Sequence, residues 1–159
     1  LDFSPVRASA RGAQLAVFER VAAACAEGGK VLSIHAVRSA GEVLDILERT
    51  GALERNVCVL HWFSGTSDEL QRALRAGCLC SINPRMLASK RGRAYARAVP
   101  EERLLLETDS PSEKGAPFDP KGVAALLSSL LDNLAALRAV SRADLAARIA
   151  ETSARLPAL

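Results

Sequence analysis

The sequence predicts an α/β fold, half of a TIM-like (β/α)8 barrel with parallel strands. Three observations carry that prediction. Short apolar runs at 31–34, 57–60, 78–82 and 103–107 are each followed by a segment of helical character, and short helical crossovers force parallel strands with right-handed connections. The run at 57–60, unbroken and rich in β-branched residues, reads as a strand buried on both faces. Three of the runs close on a residue with chemistry to offer, His35, His61 and Asp109, the first two being the chain's only histidines. Such carboxyl ends of strands are where α/β sheets and barrels place their ligands. The absence of a glycine-rich phosphate fingerprint favours the barrel over a doubly wound sheet. A full barrel takes about 250 residues; the 159 residues present read as a single partial domain over 1–159.

The elements follow in order. Leu1-Asp2-Phe3 reads as the tail of a strand, and Ser4-Pro5 opens a loop that runs to Gly12. Residues 13–27 carry Leu15, Phe18, Ala22 and Cys25 at helical spacing and stop at Gly28-Gly29. The strand at 31–34 delivers His35. Ser39 and Glu42 have the spacing of a capping box for a helix with Val43, Leu44 and Leu47, closed at Gly51. The strand at 57–60 delivers His61. Thr66 and Glu69 repeat the box before a helix bearing Leu70, Ala73 and Leu74, which ends at Gly77. The strand at 78–82 runs into Asn83-Pro84, residues 87–98 read as one helix that Pro100 ends, and the strand at 103–107 delivers Asp109. After a loop rich in Ser, Pro and Gly, Asp119-Pro120 pairs an N-cap with proline at the first helical position. Val123, Leu126, Leu127, Leu130, Leu131, Leu134 and Leu137 then form one apolar stripe, and Ser141 caps a last helix holding Leu145 and Ile149.

A hydrophobic content of 49% suits a globular core, and a net charge of +3 with both signs interspersed is too small for a purely electrostatic nucleic-acid binder. It neither requires nor excludes a polyanionic partner. No apolar run approaches the ~20 residues of a membrane span, and no signal peptide opens the chain. The expectation is a cytoplasmic protein without membrane contact. Cys25, Cys58, Cys78 and Cys80 lie in apolar surroundings without zinc-ligand spacing and read as reduced core residues. The chain opens on Leu1 rather than methionine, within what reads as structure; the expectation is a truncated or processed piece.

His35, His61 and Asp109 at matching strand ends bring imidazole nitrogens and carboxylate oxygens into one bowl, the donor types a divalent ion takes. Each histidine singly has a plainer use, closing its strand with a local hydrogen bond. Glu107 projects to the same side as Asp109, either to orient it or to close a strand-end salt bridge. Arg38 is placed to hold a phosphate or is a solvated charge. Trp62 either stacks on a base or packs into the core. Asn83 and Arg85 follow the third strand at the mouth. Lys90, Arg91 and Arg93 read as a solvated face.

Leu60-His61-Trp62-Phe63-Ser64-Gly65 resembles the H-x-F-S-G signature of the TatD family of metal-dependent deoxyribonucleases, and Leu106-Glu107-Thr108-Asp109-Ser110-Pro111 resembles its E-T-D-x-P signature. Ser33-Ile34-His35 is similar to the family's middle histidine strand, Leu1-Asp2 to the end of its E-I-G-L-D segment, and Gln14 with Phe18 to its Q-x-x-x-F pattern. The tryptophan form of the first signature, with Ser81-Ile82-Asn83-Pro84-Arg85-Met86, resembles the QatD branch of bacterial anti-phage gene clusters. The resemblance covers most of residues 1–111 and fades beyond about Lys114. It implies a phosphodiester hydrolase acting on DNA with one or two divalent ions (Mg, Mn or Zn), His35 and His61 serving one ion and Asp109, as catalytic residue, the other. The family's H-x-H pair and its bridging glutamate belong upstream of Leu1, so the resemblance implies the C-terminal half of a TIM-like (β/α)8 barrel. Val37 stands where the family tends to have arginine, with Arg38 beside it. The chain alone is therefore expected to be inactive or nearly so. The expected partners are DNA, the missing N-terminal half, subunits of a defence complex, and a second copy paired along the strand edges near 31–35 and 103–107. Two other functions stay open: a metal hydrolase of lactones or amides, and a degenerate, non-catalytic paralogue that binds nucleic acid or a protein partner.

Overall fold

A computed structural model describes residues 1–110 and 119–156. The expected Ser-, Pro- and Gly-rich loop, with Pro111 and Lys114, lies outside the described residues. The chain divides into two compact units, Leu1–Cys80, to which Leu156 also belongs, and Ser81–Arg155.

In the first unit β1 (Val31–His35) and β2 (Val57–His61) pair in parallel, Val31 opposite Val57 and His35 opposite His61. Cys58, Val59 and Leu60 are all buried in β2, as its continuous apolar run demands, whereas β1 alternates, Leu32 and Ile34 buried and Ser33 and His35 exposed. The expected strand tail at the start of the chain is a single parallel bridge from Asp2 to Val37, made by Phe3 N–H to Val37 O and Val37 N–H to Leu1 O, both 2.9 Å.

α1 (Arg11–Ala24) starts two residues earlier than its apolar spacing suggests, because a 3-10 turn at Ala8–Ala10 leads into it. α2 (Ala40–Thr50) buries Val43, Leu44 and Leu47 and ends at Gly51, whose φ of 73° is the left-handed turn glycine adopts without cost. Its expected capping box does not form. Ser39 is buried and its hydroxyl donates to the Leu1 carbonyl at 3.1 Å, while Glu42 is engaged by Arg11. The Leu1 carbonyl, which Ser39 shares with Val37 N–H, and the nearby cation outcompete the cap. A one-turn helix, α3 (Ala52–Arg55), went unforeseen; Asn56 ties it down, its amide donating to the carbonyls of Ala52 and Cys25, both at 2.8 Å.

α4 (Ser67–Arg75) has the box its sequence promises. Glu69 N–H donates to Thr66 Oγ1 at 3.2 Å and Thr66 N–H to Glu69 Oε2 at 2.6 Å. The other Glu69 oxygen accepts from Gly41 N–H at 2.9 Å, so the same carboxylate fastens α4 to the start of α2. Gly65 exists for this junction: a Cβ there would stand 2.7 Å from both Glu69 Oε2 and the Phe63 ring.

The buried β3 (Leu79–Ile82) gives its first two residues to the first unit and its last two to the second. In the second unit Glu107 N–H donates to Ile82 O at 2.9 Å just past β4 (Leu104–Leu106). The single helix expected over 87–98 is two, α5 (Pro84–Ala88) and α6 (Lys90–Ala98). Ser89 breaks it by turning its hydroxyl to accept from Gly92 N–H at 2.9 Å, and a Cβ at Gly92 would overlap the Met86 carbonyl. α7 (Pro120–Arg138) starts at the Asp119 cap and buries Leu130 and Leu134 of its stripe; α8 (Arg142–Ala154), capped by Ser141, buries Leu145 and Ile149. Arg138 donates to the Ala96 and Val99 carbonyls at 2.7 and 2.9 Å, closing the end of α6. Among the described residues no single helix is long and apolar enough to cross a membrane.

Candidate functional site

In the first unit the parallel register sets His35 directly beside His61 at the carboxyl ends of β1 and β2. Their ring centroids are 5.6 Å apart and their planes inclined by 36°. Two imidazoles that share an ion at metal–nitrogen distances of about 2.0–2.1 Å need a centroid separation of roughly 5 Å, a little under the one observed. Among the described residues no group of three or more His, Cys, Asp or Glu side chains is placed to hold a metal.

Asp2 stands near His35. The Gln14 amide clamps its backbone, accepting from Asp2 N–H at 2.7 Å and donating to Asp2 O at 2.9 Å. This pair of hydrogen bonds, matching an amide to a peptide unit, gives a physical reason for the glutamine in α1. The Asp2 carboxyl is held below the usual carboxylate range by the side chain and N–H of Ser4, and then by Arg7 at 3.1 Å and His35. An ionised carboxylate therefore accompanies His35. Asp2, Arg7, Gln14 and His35 line an open cavity of about 690 Å³.

Trp62 follows His61 half-buried, with φ of 43°, and Arg38 is exposed with φ of 53°. Among the described residues the Arg38 side chain makes no hydrogen bond or ion pair, so nothing ties it to a phosphate position.

In the second unit Asn83 is fully buried. Its Oδ1 accepts from Met86 N–H at 2.8 Å, capping α5, and its amide donates to Glu107 Oε1 at 3.2 Å. Glu107 is thus oriented by Asn83, a pairing the sequence analysis did not foresee. Asp109 is exposed, has φ of 53° and meets Arg85 Nη1 at 3.6 Å. The predicted residues are accordingly brought together in pairs: His35 with His61, Asn83 with Glu107, and Asp109 with Arg85.

All four cysteines are free thiols. Burial, and then the neighbouring Cys25, pushes Cys58 up to about 11, and burial pushes Cys80 up to about 12, so neither is a thiolate nucleophile or ligand at neutral pH.

Over residues 1–157 the chain matches the family described as TatD related DNase. The protein named 3'-5' ssDNA/RNA exonuclease TatD from Edwardsiella piscicida is 37% identical over 101 residues, which are 62% of this chain and 38% of that one. Deoxyribonuclease Tat-D of Schizosaccharomyces pombe is 31% identical over 80 residues, 50% of this chain and 26% of that one. The matched stretch is well under two thirds of either relative. Among solved structures, an uncharacterized amidohydrolase from Saccharomyces cerevisiae superposes with a TM-score of 0.77 at 18% identity, covering 98% of this chain and 62% of that one. The TatD homologue YJJV of Escherichia coli K12 superposes with a TM-score of 0.64 at 22% identity, covering 79% and 49%. These likenesses are of fold: α/β, with parallel strands and surrounding helices, of the TatD barrel type.

Proposed function

The chain belongs to the TatD-related DNase family, and we propose that it forms the C-terminal part of a metal-dependent phosphodiester hydrolase acting on DNA. The observation that carries this reading is the register that sets His35 against His61 at two adjacent strand ends, 5.6 Å between ring centroids. The names of the Edwardsiella relative, an exonuclease on single-stranded DNA and RNA, and of the fission yeast relative, a deoxyribonuclease, support the substrate class.

In this reading residues 1–159 are one partial barrel domain. His35 and His61 hold one divalent ion, Mg, Mn or Zn, and Asp109 serves a second. A divalent ion so held supplies a hydroxide nucleophile near neutral pH and positive charge for the developing oxyanion. The chain's own residues prepare that site. Gln14 fixes the segment that carries the ionised Asp2 beside His35. Asn83 orients Glu107, and Arg85 restrains Asp109. Arg38 meets a substrate phosphate and Trp62 a base.

The Trp62 form of the signature, with Ser81–Met86, supports a QatD-like place in anti-phage defence, in the cytoplasm, with defence-complex subunits as partners. Two imidazoles without a third convergent donor among the described residues make a weak site, so this chain alone is inactive or nearly so, and it self-associates through the strand edges at 31–35 and 103–107. The same observation favours a second reading, a non-catalytic paralogue that binds nucleic acid or a partner.

Calorimetric titration of Mn²⁺ or Zn²⁺ into the full chain tests the site. Binding that weakens at least tenfold in both His35→Ala and His61→Ala is expected; affinity unchanged by either substitution removes the metal reading. Cleavage of bis-p-nitrophenyl phosphate by the intact parent protein, set against a lactone and amide panel, then separates a phosphodiesterase from the other hydrolases.

A further inference from the structure

Residues 84–100 contain Arg85, Lys90, Arg91, Arg93 and Arg97 and not one Asp or Glu. The chain as a whole has 21 Lys and Arg against 18 Asp and Glu, so everything outside this stretch is net negative. The positive charge of the protein is concentrated on α6 and the helix before it.

The structure arranges these cations. Gly92, Tyr95 and Ala96 of α6, with Val99 after it, are buried, and they fall on one side of the helix. Lys90, Arg93 and Arg97, spaced i, i+3 and i+7, run along the opposite side, and Arg91 is exposed at the flank. At 1.5 Å per residue the row is about 10 Å long. Two of its members are held in place by carbonyls. Arg93 Nη1 donates to Leu87 O and Ala88 O at 2.9 and 3.1 Å, and Arg97 Nε donates to Leu137 O at 3.1 Å. A guanidinium has five N–H donors, so both keep donors for an anion. Lys90 and Arg91 make no hydrogen bond or ion pair among the described residues. Beside Arg93 opens a cavity of about 350 Å³ walled by Pro84, Leu87, Leu130, Asn133 and Leu137.

We propose that the cationic face of α6 is a docking surface for single-stranded nucleic acid, its phosphates on Lys90, Arg91, Arg93 and Arg97 and a base against the apolar groove beside Arg93. The proposal rests on the reading of the chain as part of a nuclease. Single-strand sites combine backbone-tracking cations with a surface for unstacked bases, here an apolar wall without aromatic rings, and a duplex, its bases stacked inside, leaves the groove unused. An acidic membrane is disfavoured because the exposed face of α6 offers only Ala94 and Ala98 as apolar residues, nothing that inserts. Arg85, on the helix packed against α6, pairs with Asp109 of the same unit.

The test is fluorescence anisotropy of a labelled oligothymidylate with the full chain in EDTA, at several salt concentrations. In Lys90→Gln/Arg91→Gln, affinity should fall roughly 25-fold at about 0.1 M salt and the slope of log K against log salt by about 1.4, since each single-strand phosphate contact contributes about 0.7. Lys121→Gln/Arg148→Gln, which removes equal charge from exposed positions of α7 and α8, should match the wild type. Absence of binding by the wild type overturns the proposal. So does a double variant within twofold of the wild type, an equal loss in the control, or competition by polyglutamate as strong as by oligonucleotide. Binding in EDTA does not depend on His35 and His61, so failure of the metal titration leaves this result standing, and failure here leaves that titration standing.

Discussion

Replacing Asn83 by Asp or by Ala separates the two jobs its buried amide does. Asn83→Ala removes the acceptor for Met86 N–H, 2.8 Å away, in a place where Met86 is itself buried. A lost N-cap costs about 1 kcal/mol and a buried N–H left unpaired about 1–3 kcal/mol. The two costs overlap, and the expected loss is about 2–3 kcal/mol at any pH. Asn83→Asp keeps the acceptor but turns the 3.2 Å contact with Glu107 into carboxylate against carboxylate. At that distance two charges repel by about 5 kcal/mol at an effective dielectric near 20, so the pair takes up a proton instead, its upper pKa raised by roughly 2–3 units. The folded variant then binds more protons than the unfolded chain, and stability falls as pH rises. The penalty is about 1 kcal/mol at pH 5 and about 3 kcal/mol at pH 7.5. Urea unfolding followed by circular dichroism at those two pH values gives both numbers. An Asn83→Asp variant whose loss is the same at pH 5 and pH 7.5 would show that Asn83 does not hold Glu107.

Thr66→Ala removes one arm of the capping box on α4 and should lower stability by about 1 kcal/mol, with Thr66→Ser close to wild type; thermal midpoints that do not separate the two variants refute the box. The buried thiols set an alkaline limit. Cys58 and Cys80 lie at about 11 and about 12 in the folded chain against an ordinary 9.0, so their contribution is complete below pH 9 and is lost as pH rises toward 11–12, by roughly 1 kcal/mol per pH unit for each thiol. Denaturation midpoints that stay level from pH 8.5 to 10.5 contradict it. The same burial predicts that iodoacetamide at pH 8 labels half-buried Cys25 before Cys58, Cys78 or Cys80, and mass spectrometry showing even labelling counts against it.

What could be read in advance was whatever a single residue type dictates locally. Gly51 and Gly77 after their helices, Pro120 after Asp119, and the apolar runs that became β1 to β4 all name their own geometry. What escaped were competitions between distant groups. Ser39 and Glu42 have the spacing of a capping box, as Thr66 and Glu69 do, yet only the second pair forms one. The difference lies in Leu1 O and Arg11, 38 and 31 residues from the groups they capture, and no local window contains them. Ser89 divides α5 from α6 for a like reason: the alternative cap at Gly92 N–H and the close approach to Met86 are properties of the folded corner. The histidine pair was visible because parallel pairing converts two similar strand ends into neighbours. The pairing of Arg85 with Asp109 and of Asn83 with Glu107 was not, since side-chain reach at a strand end has no sequence period.

The backbone adds an argument the sequence conceals. Among the described residues four other than glycine have positive φ: Arg38, Trp62, Asp109 and Ala139. Ala139 is the left-handed C-cap of α7, an ordinary use. The other three each follow the end of a strand by one to three residues, after β1, β2 and β4. Left-handed backbone costs a residue with a Cβ about 1–3 kcal/mol and persists where the surroundings over-determine it; for a side chain as large as tryptophan it is a true outlier. Glycine at these positions would relieve the strain, as it does at Gly51 and Gly77 in the same chain. That a cation, an indole and a carboxylate stand there instead implies that the side chains at the strand ends matter more than the local backbone. Stability alone would favour the reverse, so the strain points to the same three strand ends as the chemistry does.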